Sequence, residues 1–186
     1  MGRSSSEPKH GFPGLLDAII DFPKPFIVAV NGVGAGIGAT ICGLADLTFI
    51  ANEARLRCPF SALGLTAEAG STYLFPFLMG RQHASWFLMS AEWMSGAECS
   101  EAGLAMQSVP LEDLMPTVLG KAKTLSALPL ASLQTTKKLI VDPHREQLRE
   151  TFKAENTALA ELVGQPANRE ALNAFQEKRD PNFSGL

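Results

Sequence analysis

The sequence predicts an α/β fold that continues into an all-helical C-terminal region. Residues 26–30 form an uninterrupted apolar run rich in β-branched side chains, which is typical of a strand buried on both faces of a parallel sheet. A glycine-rich turn, a short apolar helix over 39–44 and a second apolar strand over 47–51 follow this run. Strand, crossover helix and strand form a β-α-β unit, and such units build parallel sheets that are covered by helices.

The composition indicates one globular domain. The chain has 186 residues, of which 46% are hydrophobic and 19% are charged, so it can bury a core. Sixteen Lys and Arg residues oppose nineteen Asp and Glu residues, and the formal charge of -3 excludes a broadly basic nucleic-acid-binding surface. Because no apolar run approaches the ~18 residues of a membrane span, we expect a soluble protein with neither a nucleic-acid partner nor a membrane span.

The cysteines predict neither a disulfide framework nor a metal site. Cys42, Cys58 and Cys99 are scattered without a C-x-x-C pair, and no histidine lies near any of them in sequence. Three buried, reduced thiols indicate an intracellular protein. The chain ends in Ser-Gly-Leu instead of the Ser-Lys-Leu peroxisomal signal, so the cytoplasm, the mitochondrion and the peroxisome all stay open.

A flexible leader and a short helix precede the first strand. Residues 1–13 are polar, lack the apolar stretch of a secretory signal and predict the leader. The apolar face of 15–21 predicts a helix that ends at Phe-Pro-Lys-Pro, residues 22–25.

Short elements fill the region between the second strand and residue 110. The sequence predicts, in order, an extended segment over 56–59, a loop over 60–72, helices over 72–79 and 81–89, a helix that begins at 95–98, and a strand over 108–110. Gly80 separates the two middle helices.

The chain after residue 114 has a helical pattern throughout. Pro129, Pro143 and Pro166 are the predicted breaks in it. We therefore divide the chain into a leader (1–13), an α/β core (14–110) and a helical region (111–186).

The glycine-rich turn over 31–38 has several interpretations. A phosphate-binding P-loop is excluded because no Gly-Lys-Ser/Thr follows the turn. The spacing of Gly34, Gly36 and Ala39 fits a dinucleotide-binding turn, and Glu53 follows the second strand at about the expected distance. Against this interpretation, the glycine motif begins several residues after the first strand ends, and the helix that follows is short. A second interpretation is that the glycines serve only tight helix–strand packing.

A third interpretation is that the turn offers one or two backbone N–H groups to a developing negative oxygen. Donors at the start of a helix are fixed before the reaction, and the helix dipole adds to their effect. They suit an enolate, whose negative charge appears only as a proton leaves carbon. A site of this kind also needs a base close by.

An ordered series of motifs resembles the crotonase superfamily of enoyl-CoA hydratases and isomerases. The series consists of Phe22–Pro25, Asn31-Gly32, Gly36–Ala39, Asp46, 59–70, Phe75-Pro76, Met79-Gly80, Ser95-Gly96, 102–104 and 174–179. The resemblance implies an α/β, crotonase-like (ββα-superhelix) core followed by a helical oligomerisation region. It also implies that the core is N-terminally incomplete, since the family's chains usually begin several dozen residues earlier.

The resemblance implies how a substrate binds. Members of this superfamily hold the oxygen of an acyl-CoA thioester between two backbone N–H groups. One donor here would be the N–H of Ile37, with Gly36 and Gly38 beside it. The other donor belongs to the earlier part of the family's chains.

The resemblance further implies four substrate-binding side chains, namely Phe60, Leu65, Phe175 and Lys178. Of these, Phe175 and Lys178 match positions where the C-terminal helix approaches the CoA nucleotide, often that of a neighbouring subunit. The expected partner is a fatty acyl-CoA thioester, so coenzyme A is part of the substrate and we expect no separate cofactor and no metal. The expected assembly is a homotrimer or a hexamer.

The carboxylates decide which reaction the resemblance favours. Hydratases of the superfamily use two glutamates, and the matching positions here hold Thr40 and Phe60, neither of which is a carboxylate base. Glu68 instead matches the single catalytic glutamate of the Δ3,Δ2-enoyl-CoA isomerase branch. That glutamate removes a proton from C2 of a 3-enoyl thioester and returns it to C4, while the backbone donors hold the dienolate.

From the residues alone, Glu68 has two interpretations. An acid in a loop is ordinarily solvated. However, its small and apolar neighbours and the nearby Phe75 and Phe77 predict a poorly hydrated carboxyl with a raised pKa, as a base that must also return a proton requires. Two alternatives to an isomerase stay open: a non-catalytic acyl-CoA-binding scaffold and an enoyl-CoA hydratase.

Overall fold

The computed structural model describes residues 10–186, and residues 1–9, which hold most of the predicted leader, lie outside the described residues. The described chain contains seven α-helices, six short strands and one 3-10 turn. In chain order these are α1 (Gly11–Ile20), β1 (Ile27–Val30), β2 (Val33–Ala35), α2 (Ile37–Leu44), β3 (Leu47–Ala51), β4 (Arg55–Arg57), the 3-10 turn (Ser61–Leu63), α3 (Ser71–Ser90), β5 (Trp93–Ser95), α4 (Gly96–Ala102), β6 (Gln107–Val109), α5 (Leu111–Ser126), α6 (Leu130–Leu162) and α7 (Pro166–Glu177).

The strands form two three-stranded sheets. In the first sheet β3 lies between β1 and β6, and all three strands are parallel, with Ile27 opposite Leu47. In the second sheet β4 pairs in parallel with β2 and antiparallel with β5. The predicted β-α-β unit is confirmed, because α2 connects the parallel strands β1 and β3. The residues of β2 were assigned to the glycine-rich turn from the sequence. In the structure they form a strand of the second sheet.

Strand β1 is less buried than the sequence predicts. Val30 is buried, whereas Ile27, Val28 and Ala29 are only half-buried. Within the described residues β1 pairs with β3 alone and therefore lies at the sheet edge, where α5 packs against it. Both faces of β1 are covered, since consecutive residues over 27–30 are all partly or fully buried, but its open edge leaves the strand less buried than a central one.

Two of the predicted helix breaks fall inside the long helices α3 and α6, and the structure has one of them. Helix α3 contains both predicted helices, and Gly80, with φ 73° and ψ 157°, interrupts the helical conformation between them. Helix α6 instead continues through Pro143, where we predicted a break. Buried Lys137 lies before this proline, and buried Leu148 and Phe152 lie after it. Packing on both sides outweighs the one hydrogen bond that the proline removes.

The main core lies between the first sheet and helices α2, α3 and α5, and it contains fully buried Phe49, Phe75 and Leu114. A second apolar cluster, here called the loop core, consists of Leu16, Ile20, Ala69, Leu148 and Phe152. The loop core joins α1 and α6 to the segment that precedes α3. Helix α1 begins at Gly11, so residues 11–13 of the predicted leader are helical.

The cysteines are free and buried in the main core, as predicted. Burial raises the pKa of Cys42, Cys58 and Cys99 to about 12, so these thiols stay protonated at neutral pH. Among residues 10–186, no three His, Cys, Asp or Glu side chains are grouped as a metal site would require. No helix in the described part of the chain is long and apolar enough to cross a membrane.

Asp46 connects the start of α6 to the first sheet. Its Oδ2 accepts hydrogen bonds from the N–H of Phe26 at 2.6 Å and from Nζ of Lys137 at 2.7 Å. The same ammonium group donates to the carbonyl of Lys24 at 2.8 Å. These contacts fix α6 against the residues that enter β1 and β3.

Replacement of Gly70 tests the packing of the loop core. Gly70 has φ +71°, and a Cβ there would overlap Cδ1 of Leu148 and lie 2.6 Å from Cε1 of Phe152. We expect Gly70→Ala to lower the free energy of unfolding by about 2–4 kcal/mol, because a left-handed alanine and an overpacked core add up. Urea denaturation measures this change.

Gly120→Ala in α5 is the matched control. Nothing lies within 4 Å of a Cβ at this position, so we expect the substitution to raise the free energy of unfolding by about 0.4–1 kcal/mol. A Gly70→Ala protein as stable as the native chain would contradict the packing described here.

Candidate active site

Gly36 connects β2 to α2 and fixes the geometry of the glycine-rich turn. It is the N-cap of α2, with φ 55° and ψ -124°, a conformation that glycine adopts far more readily than other residues. Its N–H donates to the carbonyl of Arg57 at 3.2 Å, so β4 holds the turn in place. Its own carbonyl accepts hydrogen bonds from the N–H groups of Ala39 and Thr40 at 2.8 and 2.9 Å.

The N–H groups of Ile37 and Gly38 are left without a partner in this arrangement. They belong to the first turn of α2, where a helix provides no internal acceptor, and no acceptor for either lies among residues 10–186. Ile37 is half-buried and Gly38 is exposed. The positive end of the helix dipole lies at the same turn. The turn can therefore stabilise a negative oxygen placed next to it.

Glu68 lies in the loop before α3, and its side chain is directed towards the first turns of α2. Its Oε1 is 3.5 Å from Oγ1 of Thr40, which follows Ile37 by one helical turn. Thr40 is fully buried, and Glu68 itself is half-buried. The carboxyl of Glu68 and the amide of Ile37 thus lie at the same end of α2.

The surroundings of Glu68 raise its pKa above the ordinary value for a glutamate. Burial is the largest cause of this increase; the hydrogen bond from Thr40 lowers the pKa in part, and the negative charge of Glu155 raises it further. This direction agrees with the expectation from the sequence, which rested on the small and apolar neighbours of Glu68.

Two consecutive residues in the left-handed conformation shape the loop that carries Glu68. They are Ala69, with φ 58°, and Gly70, with φ 71°. The N–H and Oγ of Ser71 both donate to the carbonyl of Glu68, at 3.1 and 2.6 Å. The backbone of Glu68 is therefore held between the loop core and the first turn of α3.

Glu155 of α6 is a residue of this site that the sequence analysis missed. It is 6% exposed, and its carboxylate accepts hydrogen bonds from Gly70 N at 2.6 Å, Thr72 N at 3.0 Å and Thr72 Oγ1 at 2.6 Å. Burial raises the pKa of Glu155, and these hydrogen bonds lower it in part. Its spacing from Leu148 and Phe152 puts an acid on the apolar face of α6. A charged residue on an apolar helix face was the sequence feature that could have identified Glu155.

The two positions that the resemblance matches to the hydratase glutamates hold no carboxylate. Thr40 contributes only a hydroxyl, and Phe60 is 7% exposed and packs in the main core. Leu65 is half-buried, and its N–H donates to the carbonyl of Phe60 at 2.8 Å. Phe60 and Leu65 therefore lie where the loop of Glu68 begins.

Phe175 and Lys178 lie at the exposed end of α7. Phe175 is 81% exposed in the last turns of α7, and Lys178 is the exposed C-cap of that helix. Helix α7 packs on the 3-10 turn, where Asn168 Nδ2 donates to the carbonyl of Leu63 at 2.8 Å. Within residues 10–186, Phe175 makes no ring contact and Lys178 no side-chain hydrogen bond that would connect them to the site.

A groove of about 720 Å³ lies between α1 and α6. Leu16, Phe152 and Lys153 are among its lining residues, whereas Glu68 and Ile37 are not. Leu16 and Phe152 also belong to the loop core. The groove therefore lies next to the residues that support the Glu68 loop, and the Glu68 carboxyl does not line it.

Sequence comparison decides the family. The profile of the family described as Enoyl-CoA hydratase/isomerase matches residues 2–185, almost the whole chain. The chain belongs to the enoyl-CoA hydratase/isomerase family. The resemblance of the sequence motifs to the crotonase superfamily is thereby confirmed.

Two curated members of the family align with this chain over different fractions of their own length. Enoyl-CoA delta isomerase 2 of Rattus norvegicus is 34% identical over 144 residues, which are 77% of this chain and 37% of that protein. The 1,2-epoxyphenylacetyl-CoA isomerase of Escherichia coli (strain K12) is 34% identical over 172 residues, which are 92% of this chain and 65% of that protein. The chain therefore spans less than two thirds of the length of either relative.

A solved structure of the family has the same fold. The crystal structure of an enoyl-CoA hydratase/isomerase from Pseudoalteromonas atlantica T6c matches with a TM-score of 0.89 and 30% identity, covering 92% of this chain and 69% of that one. The predicted α/β crotonase-like core and helical C-terminal region are thus confirmed as a fold of the enoyl-CoA hydratase/isomerase family.

The raised pKa of Glu68 predicts how its removal changes stability. Between the ordinary and the raised pKa the folded state binds more protons than the unfolded state, so Glu68 lowers stability as the pH rises through this interval. We expect Glu68→Gln to be more stable than the native chain at pH 7, with the difference vanishing below the ordinary glutamate pKa of ~4.3. Urea denaturation at a series of pH values measures it.

Glu98→Gln provides a control of opposite sign. Hydrogen bonds from the side chain and the N–H of Ser95 lower the pKa of Glu98, so this charge stabilises the folded state at neutral pH and its removal is expected to destabilise the chain. A Glu68→Gln protein that is less stable than the native chain at pH 7 would contradict the burial of Glu68.

Proposed function

We propose that this chain is an enoyl-CoA isomerase, which moves the double bond of a fatty acyl-CoA from the 3 to the 2 position. The observation that carries the proposal is the half-buried carboxyl of Glu68, which contacts Thr40 at the end of α2 where the amide of Ile37 has no hydrogen-bond partner among residues 10–186. The names of the two curated relatives, both isomerases of CoA esters, support the same class of reaction.

The proposed reaction uses one carboxylate twice. The thioester oxygen accepts a hydrogen bond from the N–H of Ile37, and the carboxylate of Glu68 removes a proton from C2. The electrons of the broken C–H bond form a dienolate whose negative charge rests on the thioester oxygen. Protonated Glu68 then gives the proton to C4, so that the double bond lies between C2 and C3 and the carbonyl is restored. Glu68 ends as a carboxylate, and the atoms balance without a further reactant.

The raised pKa of Glu68 suits both halves of this reaction. A carboxylate with an ordinary pKa is a weak base towards a carbon acid, and burial makes it a stronger one. The same group must hold the proton only until C4 is ready to accept it. A carboxyl near the end of a helix, partly shielded from water, meets both requirements.

The structure supports isomerisation over hydration. The resemblance implies that hydratases of the superfamily add water with a pair of glutamates. The two matching positions hold the buried hydroxyl of Thr40 and the buried ring of Phe60. Within the described residues, Glu68 has a carboxyl that contacts α2, and the carboxylate of Glu155 is already occupied by the N–H groups of Gly70 and Thr72, so a reaction that uses a single carboxylate is the better fit.

The substrate contacts and the assembly belong to the same proposal. Gly36 and Gly38 would line the thioester, Phe60 and Leu65 the reacting acyl carbons, and Phe175 and Lys178 the CoA nucleotide. Coenzyme A enters as part of the substrate. The helical region exposes large apolar side chains, among them Leu119, Leu139 and Ile140, and such exposure supports assembly into a homotrimer or hexamer.

Turnover of a 3-enoyl-CoA tests the proposed function. We expect the purified chain to convert it to the conjugated 2-enoyl product, followed by the absorbance of the conjugated thioester. Glu68→Gln should lower kcat by about 10²–10⁴-fold, because the group that carries the proton is lost. Glu146→Gln, at an exposed position of α6, is the matched control and should retain the native rate.

Binding of the CoA ester is measured alongside turnover. If the native chain binds a 3-enoyl-CoA without converting it, the acyl-CoA-binding scaffold replaces the isomerase. If Glu68→Gln converts it at the native rate, Glu68 is not the base.

The pH dependence of the rate provides an independent test. The carboxylate form of Glu68 is the active form, so kcat/KM should fall as the pH is lowered through its pKa. Because burial raises this pKa, we expect the inflection above the ordinary glutamate value of ~4.3. The profile of kcat/KM against pH measures the inflection in the free protein. An inflection at or below the ordinary value would be incompatible with a poorly hydrated base.

A further inference from the structure

We propose that Glu155 is a positioning residue for Glu68: from α6 it holds the loop that carries Glu68, and its negative charge acts on the Glu68 carboxyl. The inference rests on the proposed function, in which Glu68 is the base. Glu155 itself touches no reacting atom in that proposal.

The hydrogen bonds of Glu155 all reach the segment that follows Glu68. Oε2 accepts from Gly70 N at 2.6 Å, and Oε1 accepts from Thr72 N at 3.0 Å and Thr72 Oγ1 at 2.6 Å. The two partners lie 85 and 83 residues earlier in the chain than Glu155. A single carboxylate of the helical region therefore fixes the two residues on either side of Ser71, whose hydroxyl in turn holds the carbonyl of Glu68.

A carboxylate fits this place because α3 has no cap of its own. The N-cap of α3 is Gly70, which has no side chain to accept a hydrogen bond from the first turn. The N–H groups of a first turn need acceptors, and the positive end of the helix dipole favours an anion. Glu155 supplies both from outside the helix.

No cation among residues 10–186 neutralises the Glu155 carboxylate. Within the described chain, neither Glu155 nor Glu68 forms an ion pair with Lys, Arg or His. Glu155 is 6% exposed, so water screens its charge poorly. Its field therefore reaches the neighbouring carboxyl and favours the protonated form of Glu68.

Apart from Glu155, the groups of the described residues that act on Glu68 are neutral. Thr40 of α2 donates a hydrogen bond to its carboxyl. The thiol of Cys58, after β4, lies close enough for the charge of Glu68 to raise its pKa, and it stays protonated at neutral pH. Among residues 10–186, Glu155 is thus the charged group that raises the pKa of Glu68, after the larger effects of burial and of the hydrogen bond from Thr40.

The alternative is that Glu155 is only a structural cap for α3. Both roles predict that Glu155→Gln lowers stability, because an amide cannot accept all three hydrogen bonds. Only a positioning role predicts changes in the chemistry of Glu68. We expect Glu155→Gln to lower kcat by about 10²-fold with KM changed less than about twofold, since a displaced base loses its alignment with C2. The acid limb of the kcat/KM profile should move to lower pH, because the charge that raised the pKa is gone.

Two control variants separate these effects from loss of stability. Leu114→Ala leaves a cavity in the main core, away from the loop, and should destabilise the chain without moving the acid limb. Thr72→Val removes one hydrogen bond to Glu155 but keeps its charge, so the acid limb should not move to lower pH. If Glu155→Gln behaves like Leu114→Ala in both kcat and acid limb, the inference is wrong and Glu155 is a cap.

A measurement that needs no turnover keeps the inference separate from the proposed function. Carbon NMR of the side-chain carboxyls, with the Glu68 signal assigned by Glu68→Gln, follows the titration of Glu68 directly. A titration shifted to lower pH in Glu155→Gln supports the inference, and an unchanged titration overturns it. A native chain without isomerase activity overturns the proposed function, while this titration still decides whether Glu155 acts on Glu68.

Glu155→Asp decides the matter if Glu155→Gln does not fold. The aspartate keeps the charge but is one methylene shorter, so it cannot span the same three hydrogen bonds. We expect about 10-fold lower kcat with a nearly native acid limb. An aspartate variant with native kcat would overturn the positioning role.

Discussion

The loop before α3 cannot hold its own conformation, and the candidate site depends on the groups that hold it from outside. Ala69 and Gly70 both have positive φ, and Gly70 leaves the first turn of α3 without a side-chain cap. The loop core packs against this segment from below, and the carboxylate of Glu155 accepts its N–H groups. Without these contacts the backbone at Glu68 would gain several alternative conformations, and a base is useful only while it stays aligned with one carbon atom.

The site combines features that oppose stability. Two carboxyls, Glu68 and Glu155, lie in partly or fully buried positions, and burial raises the pKa of both. Each carboxylate is therefore held in the folded chain at an energetic cost relative to water. For Glu155 three hydrogen bonds and the dipole of α3 offset that cost. For Glu68 the long contact with Thr40 offsets the cost in part, and the pKa stays above that of an exposed glutamate. A buried carboxylate whose energetic cost is only partly offset is expected at a reactive group, since selection for stability alone would remove it.

The local patterns in the sequence predicted the elements that local chemistry dictates. The apolar run of β3, the glycine that interrupts α3 and the glycine-rich turn before α2 all lie where the sequence placed them. The resemblance to a family also selected Glu68, and the structure puts its carboxyl at the expected end of α2. What the sequence did not predict depends on distant neighbours. Strand β2 forms because β4 lies beside it, and Glu155 contributes to the site through partners 83 and 85 residues away.

The absence of the predicted helix break at Pro143 shows how tertiary packing determines the geometry of the site. A proline in the middle of a helical pattern removes one hydrogen bond and ordinarily ends the helix. Here α6 is held at two separated points: near its start Lys137 binds Asp46 beside the first sheet, and near its end Glu155 binds the loop of Glu68. Glu155 follows Lys137 by 18 residues, which corresponds to about 27 Å of continuous helix. Because α6 stays unbroken between Lys137 and Glu155, the distance between the first sheet and the Glu68 loop is set by a rigid element. Since α2, which carries Ile37, is built on that same sheet, one long helix fixes the base relative to the backbone donors.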